Sequence, residues 1–412
     1  MIRAVGATFE SPEAAVGTRS AWVRSPAWDG FWILNTLWLA PIVWWTTHGR
    51  EDPHETDLYW VYLVLTLLFW IGHRVSSTYL AYCTSAYRPL LTSQRARFVW
   101  VPLGIVLFTF GVLLPGDDAR PWTRAHRIMA LVIVDYGLVT YHFASQHFGF
   151  LSLYRVRAGR PRTKSARRWD RAYALVVGGV MVFLAELISG QVFFKDVWID
   201  PIFDPAWLQA HHGLLQWSGT AFVAIATAWM LLRERSSLPR TLYLLCMAAI
   251  VVAAFFVHPF LFLALWTSQH WLAAMGLATV VARGDRPPTG TRSLWYRGWS
   301  AVSRRPWTLA LVLAVVSCVL LPVMEVEAIG EGESGFAEEI VPAIANALSN
   351  STWIPALVAL GFVTAFLHYA LDRAVFRLSD NEVRRAAQNL LDQVPGADPT
   401  QSFPRAPVNQ RE

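Results

Sequence analysis

Histidine is the residue type whose placement in this chain most suggests chemistry. Neutral imidazole is the commonest metal ligand in proteins. Ionisable groups at membrane depth are rare unless they pair, line a cavity or take part in chemistry. Six of the eleven histidines lie inside or at the edge of strongly apolar stretches: His73, His142, His147, His258, His270 and His368. The sequence therefore predicts a buried histidine site.

The composition places the chain in the membrane class, because 54% of residues are hydrophobic, 16% are charged and the mean hydropathy is +0.35. Apolar runs of about 17 to 25 residues predict membrane-spanning helices. Ten such runs occur, at 28–47, 59–82, 99–114, 128–152, 172–190, 213–232, 241–257, 260–282, 307–324 and 352–371. We expect an all-α, polytopic integral membrane helical bundle of about ten transmembrane helices.

The distribution of basic residues predicts the orientation of this bundle. With the N-terminus inside, the cytoplasmic side holds 29 of the 35 Lys and Arg residues and the outer loops hold 5. Both termini are thus predicted to be cytoplasmic, in a multi-pass protein of a bacterial-type inner membrane. The net charge of +6 then reflects basic loops beside anionic lipid headgroups, and nucleic acid is not an expected partner.

This topology divides the chain into three parts. Residues 1–27 form a cytoplasmic N-terminal segment and residues 28–372 the ten-helix transmembrane domain. Residues 373–412 form a cytoplasmic amphipathic helix and a disordered tail. The pattern from Ser379 to Glu382 predicts a capping box that opens this helix.

Helical rise gives each histidine a depth, measured from the outer end of its span. His73 and His142 lie roughly 21 Å deep and His368 roughly 24 Å, so all three fall in the inner half of the bilayer. His147 at about 29 Å and His270 at about 15 Å bracket this layer. We therefore predict these five histidines as metal ligands.

Iron is the favoured metal, with zinc, copper or haem as alternatives. Imidazole ligands suit all of these metals, and the three scattered cysteines form no thiolate motif. Non-haem iron leaves coordination positions for oxygen and a substrate.

Other polar residues of the spans are candidates for supporting the site. Asp135 or Glu186 could orient a ligand or relay protons, and Tyr141 is a candidate donor beside the ligands. Arg74 is a charged residue within a span and is expected to pair with Asp135, Glu186 or Asp372.

An internal similarity links two of the histidines. Residues 144–148 and 267–271 share a small residue followed by Ser-Gln-His and an aromatic residue. This pairing indicates a weak four-helix repeat in which His147 and His270 would be quasi-equivalent.

The His147-Phe148-Gly149 element, together with Gly72-His73, resembles elements of the bacterial membrane-bound carotene dioxygenases. This resemblance implies an all-helical membrane enzyme whose histidines hold iron that cleaves a polyene with oxygen. It would make His73 and His147 iron ligands. The chain departs from that family in lacking a closely spaced histidine pair on a later helix.

The sequence thus favours a metal-dependent membrane oxidoreductase or oxygenase. Its substrate would be a hydrophobic small molecule, a lipid or isoprenoid, since apolar walls admit apolar substrates from the surrounding membrane lipids. Three alternatives remain open: a proton-coupled transporter or channel, a haem protein with two axial histidines, and a purely structural subunit.

Overall fold

The computed structural model describes residues 21–47, 72–116, 122–160, 163–193, 204–233, 236–257, 259–283, 293–303, 305, 307–316 and 354–391. Within these ranges the protein is all-helical and contains no strand. The all-α class predicted from the sequence is therefore confirmed for the described part of the chain. The predicted cytoplasmic segments 1–27 and 373–412 lie partly outside it.

The helices are numbered in chain order. They are α1 (Pro26–Trp32), α2 (Thr36–Thr47), α3 (72–83), α4 (Leu90–Ser93), α5 (Val101–Leu113), α6 (Arg124–Arg157), α7 (Lys164–Leu175), α8 (Val182–Phe193), α9 (Pro205–Arg233), α10 (Leu238–Phe256), α11 (Pro259–Ala282), α12 (Leu294–Ser303), α13 (Trp307–Val316), α14 (Ile354–Val375) and α15 (Asn381–Ala386). Single π-helical turns precede α5 at Ala96–Trp100 and join α7 to α8 at Val176–Met181.

Five of the described helices are long and apolar enough to cross a membrane. They are Ala96–Leu113, His126–Arg157, Ala206–Arg233, Leu238–Phe256 and Ile354–Val375. Their outward faces carry large apolar side chains, such as Ile225 and Leu232 on α9, which suit contact with lipid. The total of ten spans and the orientation of the termini stay predictions.

The first predicted span, 28–47, is two helices rather than one. Helix α1 ends at Trp32 and α2 begins at Thr36. Asn35 stabilises the break, because its side-chain amide donates to the carbonyls of Trp32 (2.9 Å) and Gln269 (3.1 Å). The break is buried in protein, the setting in which non-helical backbone is tolerated within a membrane. It also fixes the N-terminal helices to α11 beside His270.

Glycines in the π-turn let α6 approach α7 and α8 closely. A Cβ atom on Gly178 would lie 2.7 Å from Cδ2 of His147, and one on Gly179 would lie 3.2 Å from Cβ of Ala144. Helix π-turns are frequent at functional sites. Here the turn makes room for the His147 ring.

A buried ionic cluster joins α6, α7 and α10 at the side predicted to be cytoplasmic. Asp170 accepts from Nε of Arg155 (3.1 Å) and from an Nη of Arg240 (2.6 Å). All three side chains are at most 6% exposed. Such a cluster fixes the relative positions of the three helices, because moving one helix would leave a buried charge without its partner.

The C-terminal helix α15 begins at Asn381 with Asp380 as its N-cap, one residue later than the Ser379 of the predicted capping box. The Asp380 carboxylate also accepts from Arg97 (3.1 Å) and Gln94 (3.1 Å), which tether α15 to the π-turn before α5. Burial is the largest single effect on the pKa of Asp380 and raises it, but these donors and two backbone N–H groups together outweigh burial and lower the pKa. Val383 and Leu390 face the core.

Candidate metal centre

Four helices that are distant in sequence each contribute one histidine to a single buried point. His73 lies on α3, His142 on α6, His270 on α11 and His368 on α14. One ring nitrogen from each lies within 4.8 Å of the corresponding nitrogen of every other. Their rings are close, with centroids 3.9 Å apart for His73 and His368 and 4.2 Å apart for His73 and His270. All four side chains are buried.

The arrangement of three of these nitrogens is not explained by hydrogen bonding alone. Nε2 of His142 lies 3.1 Å from Nε2 of His270 and 3.1 Å from Nε2 of His368. A ring nitrogen of neutral imidazole carries either one proton or one lone pair. Nε2 of His142 can therefore complete one conventional hydrogen bond, and the second contact is left as a close approach of polar atoms.

Convergence on a metal ion would account for both contacts. Nitrogen ligands about 2.0 to 2.1 Å from a metal stand about 3.0 Å apart at right angles and about 3.4 Å apart at tetrahedral angles. The two 3.1 Å separations fall in this interval. These two separations are therefore compatible with Nε2 of His142 sharing one cation with His270 and with His368.

Ring nitrogens of His73 and His270 that have no hydrogen-bond partner also support a bound metal ion. Neither Nδ1 nor Nε2 of His73 has a hydrogen-bond partner among the described residues, and the same is true of Nδ1 of His270. Leaving a buried polar group without a partner costs about 1–3 kcal/mol. A ligand that accepts the lone pair of His73 would remove part of this penalty.

Two further residues support the ring orientations from neighbouring helices. Ser77 Oγ lies 3.0 Å from Nδ1 of His368, and a carboxylate oxygen of Asp372 lies 3.9 Å from Nδ1 of His142. Metal-binding histidines commonly donate their second N–H to such groups, which fixes the tautomer. The Ser77 contact engages Nδ1 of His368 and leaves Nε2 of that ring to face the centre. The Asp372 oxygen is too far from Nδ1 of His142 for a hydrogen bond, but Nε2 of His142 is the atom that contacts His270 and His368.

The walls of the site are aromatic. Phe143 stacks on the His270 ring with centroids 3.8 Å apart and on Trp266 with centroids 4.0 Å apart. Tyr369 packs against His142, with centroids 5.2 Å apart. A cation held here would be surrounded by apolar surface, which strengthens electrostatic interactions.

His147, the fifth histidine predicted as a ligand, lies outside the group of four. Its Nδ1 is 2.8 Å from the hydroxyl of Tyr243, and its ring packs on Gly178. His147 and His270 therefore do not occupy the equivalent positions that the repeated Ser-Gln-His element suggested. On α6 it is His142 that faces His270.

The predicted supporting residues have different surroundings. Asp135 accepts a hydrogen bond from Tyr369 and interacts electrostatically with Arg74, as expected for a charge within a span. Arg74 also donates to Thr364 Oγ1 at 3.2 Å. Tyr141 is 39% exposed, and its ring lies 5.8 Å from the Arg373 guanidinium. Glu186 is on α8, but its side chain is outside the described residues.

The sequence interpretation missed Ser77 as part of the site and considered Asp372 only as a partner for Arg74. A signal for both was present, because Ser77 follows His73 by four residues and Asp372 follows His368 by four. Positions four apart share a helix face. A small polar or acidic residue at that spacing from a buried histidine marks the same face as the ligand.

No family model, curated protein or solved structure matches this chain in comparisons with known proteins. The assignment of a function therefore rests on the geometry of the site.

Proposed function

We propose that this chain is a membrane-embedded metalloenzyme in which His73, His142, His270 and His368 hold one transition-metal ion. The observation that carries the proposal is the convergence of four buried imidazoles from four helices, with ligating atoms within 4.8 Å of one another. Burying four polar rings together without a shared partner would be costly. A shared metal ion offsets that cost.

Carboxyl groups beside the histidines suit a cation. A carboxyl oxygen of Asp372 lies 3.9 Å from Nδ1 of His142, and Asp135 interacts with Arg74 and Tyr369 beside the cluster. A divalent cation at the histidines would favour the ionised form of a carboxyl group this close.

The proposed metal is iron, with the protein acting as an oxidoreductase or oxygenase. Imidazole-only ligand sets suit iron, zinc and copper. Four ligands leave coordination positions open on iron, which when bound would supply one-electron and oxygen chemistry. The resemblance to carotene dioxygenases supports this choice through His73, whereas His147, the other residue of that resemblance, is outside the group.

The proposed substrate is a lipid or isoprenoid that enters from the membrane. Phe143, Trp266 and Tyr369 give the site aromatic walls, which favour an apolar molecule. The proposed location is a bacterial-type inner membrane, and the basic residues of the predicted cytoplasmic loops support it.

The haem alternative fits this geometry less well. Two axial histidines of a haem flank a porphyrin plane, whereas here His73 stands between its neighbours with its ring centroid 3.9 to 4.2 Å from those of His368 and His270. The transporter alternative has one observation in its favour, the Asp135, Arg74 and Tyr369 contacts beside the histidines. It predicts no stoichiometric metal.

The metal content of the purified protein tests the proposal. We expect about one equivalent of metal per chain in detergent-solubilised protein loaded anaerobically with Fe(II), with loss in His142→Ala and His368→Ala. His211→Ala is the matched control, because this ring is partly exposed and contacts the Trp207 carbonyl. His147→Ala should also retain metal. Full metal content in both buried variants would reject the proposal.

Activity is tested with a polyene. Iron-loaded protein in micelles containing β-carotene and air should bleach the visible absorption of the carotene, and His142→Ala should not. Bound iron without bleaching would reject the polyene as substrate and keep the metal site.

A further inference from the structure

Five tyrosines are buried among the described residues, and their hydroxyls contact four kinds of partner. The pairs are Tyr79 with the Ser303 hydroxyl, Tyr87 with the Val375 carbonyl, Tyr173 with the Thr227 hydroxyl, Tyr154 with the Asp29 carboxylate and Tyr243 with the His147 imidazole. Hydroxyl and carbonyl oxygens do not accept a proton near neutral pH. Only the last two partners are bases.

The two basic partners are not equivalent. The Asp29 carboxylate already accepts from the backbone N–H groups of Val23 (2.8 Å) and Arg24 (3.1 Å), so it serves to fix the N-terminal segment. Nδ1 of His147 instead faces the Tyr243 hydroxyl at 2.8 Å. A lone pair at this distance is positioned to take the phenolic proton.

The Tyr243 and His147 pair is built into the helix packing. Gly178 in the π-turn leaves the space that the His147 ring fills, since a Cβ there would lie 2.7 Å from Cδ2 of that ring. Tyr243 is fully buried and packs against Phe150, with ring centroids 5.1 Å apart. The phenol is therefore shielded from water.

The pair also lies between the four histidines and the end of α6 predicted to be cytoplasmic. His147 follows His142 by five residues, which is about 7.5 Å along the helix axis. The Tyr154 ring, a further two turns along α6, has its centroid 5.9 Å from that of Tyr243. An electron could pass from Tyr154 to Tyr243 and on toward the histidines.

We propose that Tyr243 and His147 form a redox-active pair. Tyr243 loses one electron while its O–H bond breaks, and the proton forms an N–H bond at Nδ1 of His147. The products are a neutral tyrosyl radical and an imidazolium, and the reverse transfer restores both groups. If the four histidines hold a metal as the proposed function requires, that metal in its oxidised form would supply the electron acceptor for Tyr243.

The redox activity of the pair is tested without any metal. Full-length metal-free protein in detergent is mixed with ruthenium tris(bipyridine) and a cobalt(III) quencher, illuminated and frozen for EPR spectroscopy. We expect a tyrosyl radical whose yield falls about tenfold in Tyr243→Phe, since the substitution removes the proton donor. Tyr173→Phe is the matched control, because Tyr173 is also buried but has a hydroxyl partner. An equal signal in Tyr243→Phe would overturn the proposal.

The role of His147 is tested by His147→Gln, which keeps a hydrogen-bond acceptor but not a base. The radical yield should fall about tenfold, whereas an unchanged yield would contradict proton transfer to His147. Measurement of wild-type protein in heavy water avoids any folding defect of the variants. Radical formation should slow there because the proton moves with the electron, and an unchanged rate would overturn the proposal.

The two proposals fail in distinguishable ways. Fe(II)-loaded protein exposed to air in the dark should develop the same radical if Tyr243 donates to the metal centre. Metal binding without a radical in any of these experiments would reject the redox role of Tyr243 and keep the metal site. A photochemical radical in a protein that binds no metal would reject the metalloenzyme and the link to it, while supporting proton transfer within the pair.

Discussion

Replacement of Asp170 by asparagine is expected to destabilise the protein strongly. The substitution keeps the side-chain size but removes the charge that Arg155 and Arg240 share, at 3.1 Å and 2.6 Å. Both guanidinium groups are at most 6% exposed, so water cannot replace the carboxylate. Removing one partner of a buried ion pair costs about 3–5 kcal/mol. We expect a loss in this range for the free energy of unfolding.

Unfolding of the purified protein in mixed micelles with increasing dodecyl sulfate, followed by circular dichroism, measures this loss. Arg97→Gln is the control, because the exposed Arg97–Asp380 pair should contribute at most about 1 kcal/mol. Substituting the whole cluster with apolar residues, Met at 155 and 240 and Leu at 170, should recover most of the stability. A loss below about 1 kcal/mol in Asp170→Asn would refute the reasoning that the cluster is desolvated.

Three further substitutions test the site and its surroundings. Ser77→Ala removes the partner of Nδ1 of His368 and should weaken metal binding about 10- to 100-fold in a competition titration. An unchanged affinity would contradict the role of Ser77 in orienting His368. Gly178→Ala should destabilise the protein by about 1–3 kcal/mol in the same unfolding assay, because the added Cβ would displace the His147 ring. An unchanged stability would show that the packing of His147 on residue 178 has room for a methyl group. Asp380→Asn should speed hydrogen exchange in α15. In wild type the lowered pKa of Asp380 stabilises α15 above about pH 4, and this contribution is lost as the pH falls through that pKa; no change on acidification would contradict the N-cap role.

Depth and residue type were sufficient to predict most of the histidine cluster. His73, His142 and His368 were grouped because helical rise put them at similar depths, and the structure brings them together. His270 was placed about 6 to 9 Å shallower than these from its span boundary alone. It joins them nonetheless, because a depth counted from sequence ignores how neighbouring helices are offset along the membrane normal.

Helix rotation was the information that the sequence did not supply. His142 and His147 differ by about 140° around α6, so both could face one site only if that face were wide. The structure uses one side of α6 for His142 and gives His147 a separate partner in Tyr243. The break between α1 and α2 was missed for a similar reason. It depends on the Asn35 contact with Gln269, more than 200 residues away in sequence.

The dispersal of the four histidines has a consequence for how the protein is made. Ser77 and His368 contact each other across 291 residues of chain, and His368 lies on α14, the last long helix described. During synthesis the chain emerges from its N-terminus, so the ribosome must produce α14 before the fourth imidazole can meet the others. A nascent chain in which only α3, α6 and α11 have been made would hold three of the four histidines. Under the proposed function, metal delivery would then follow translation, and a truncated chain ending before residue 354 would be unable to assemble the site.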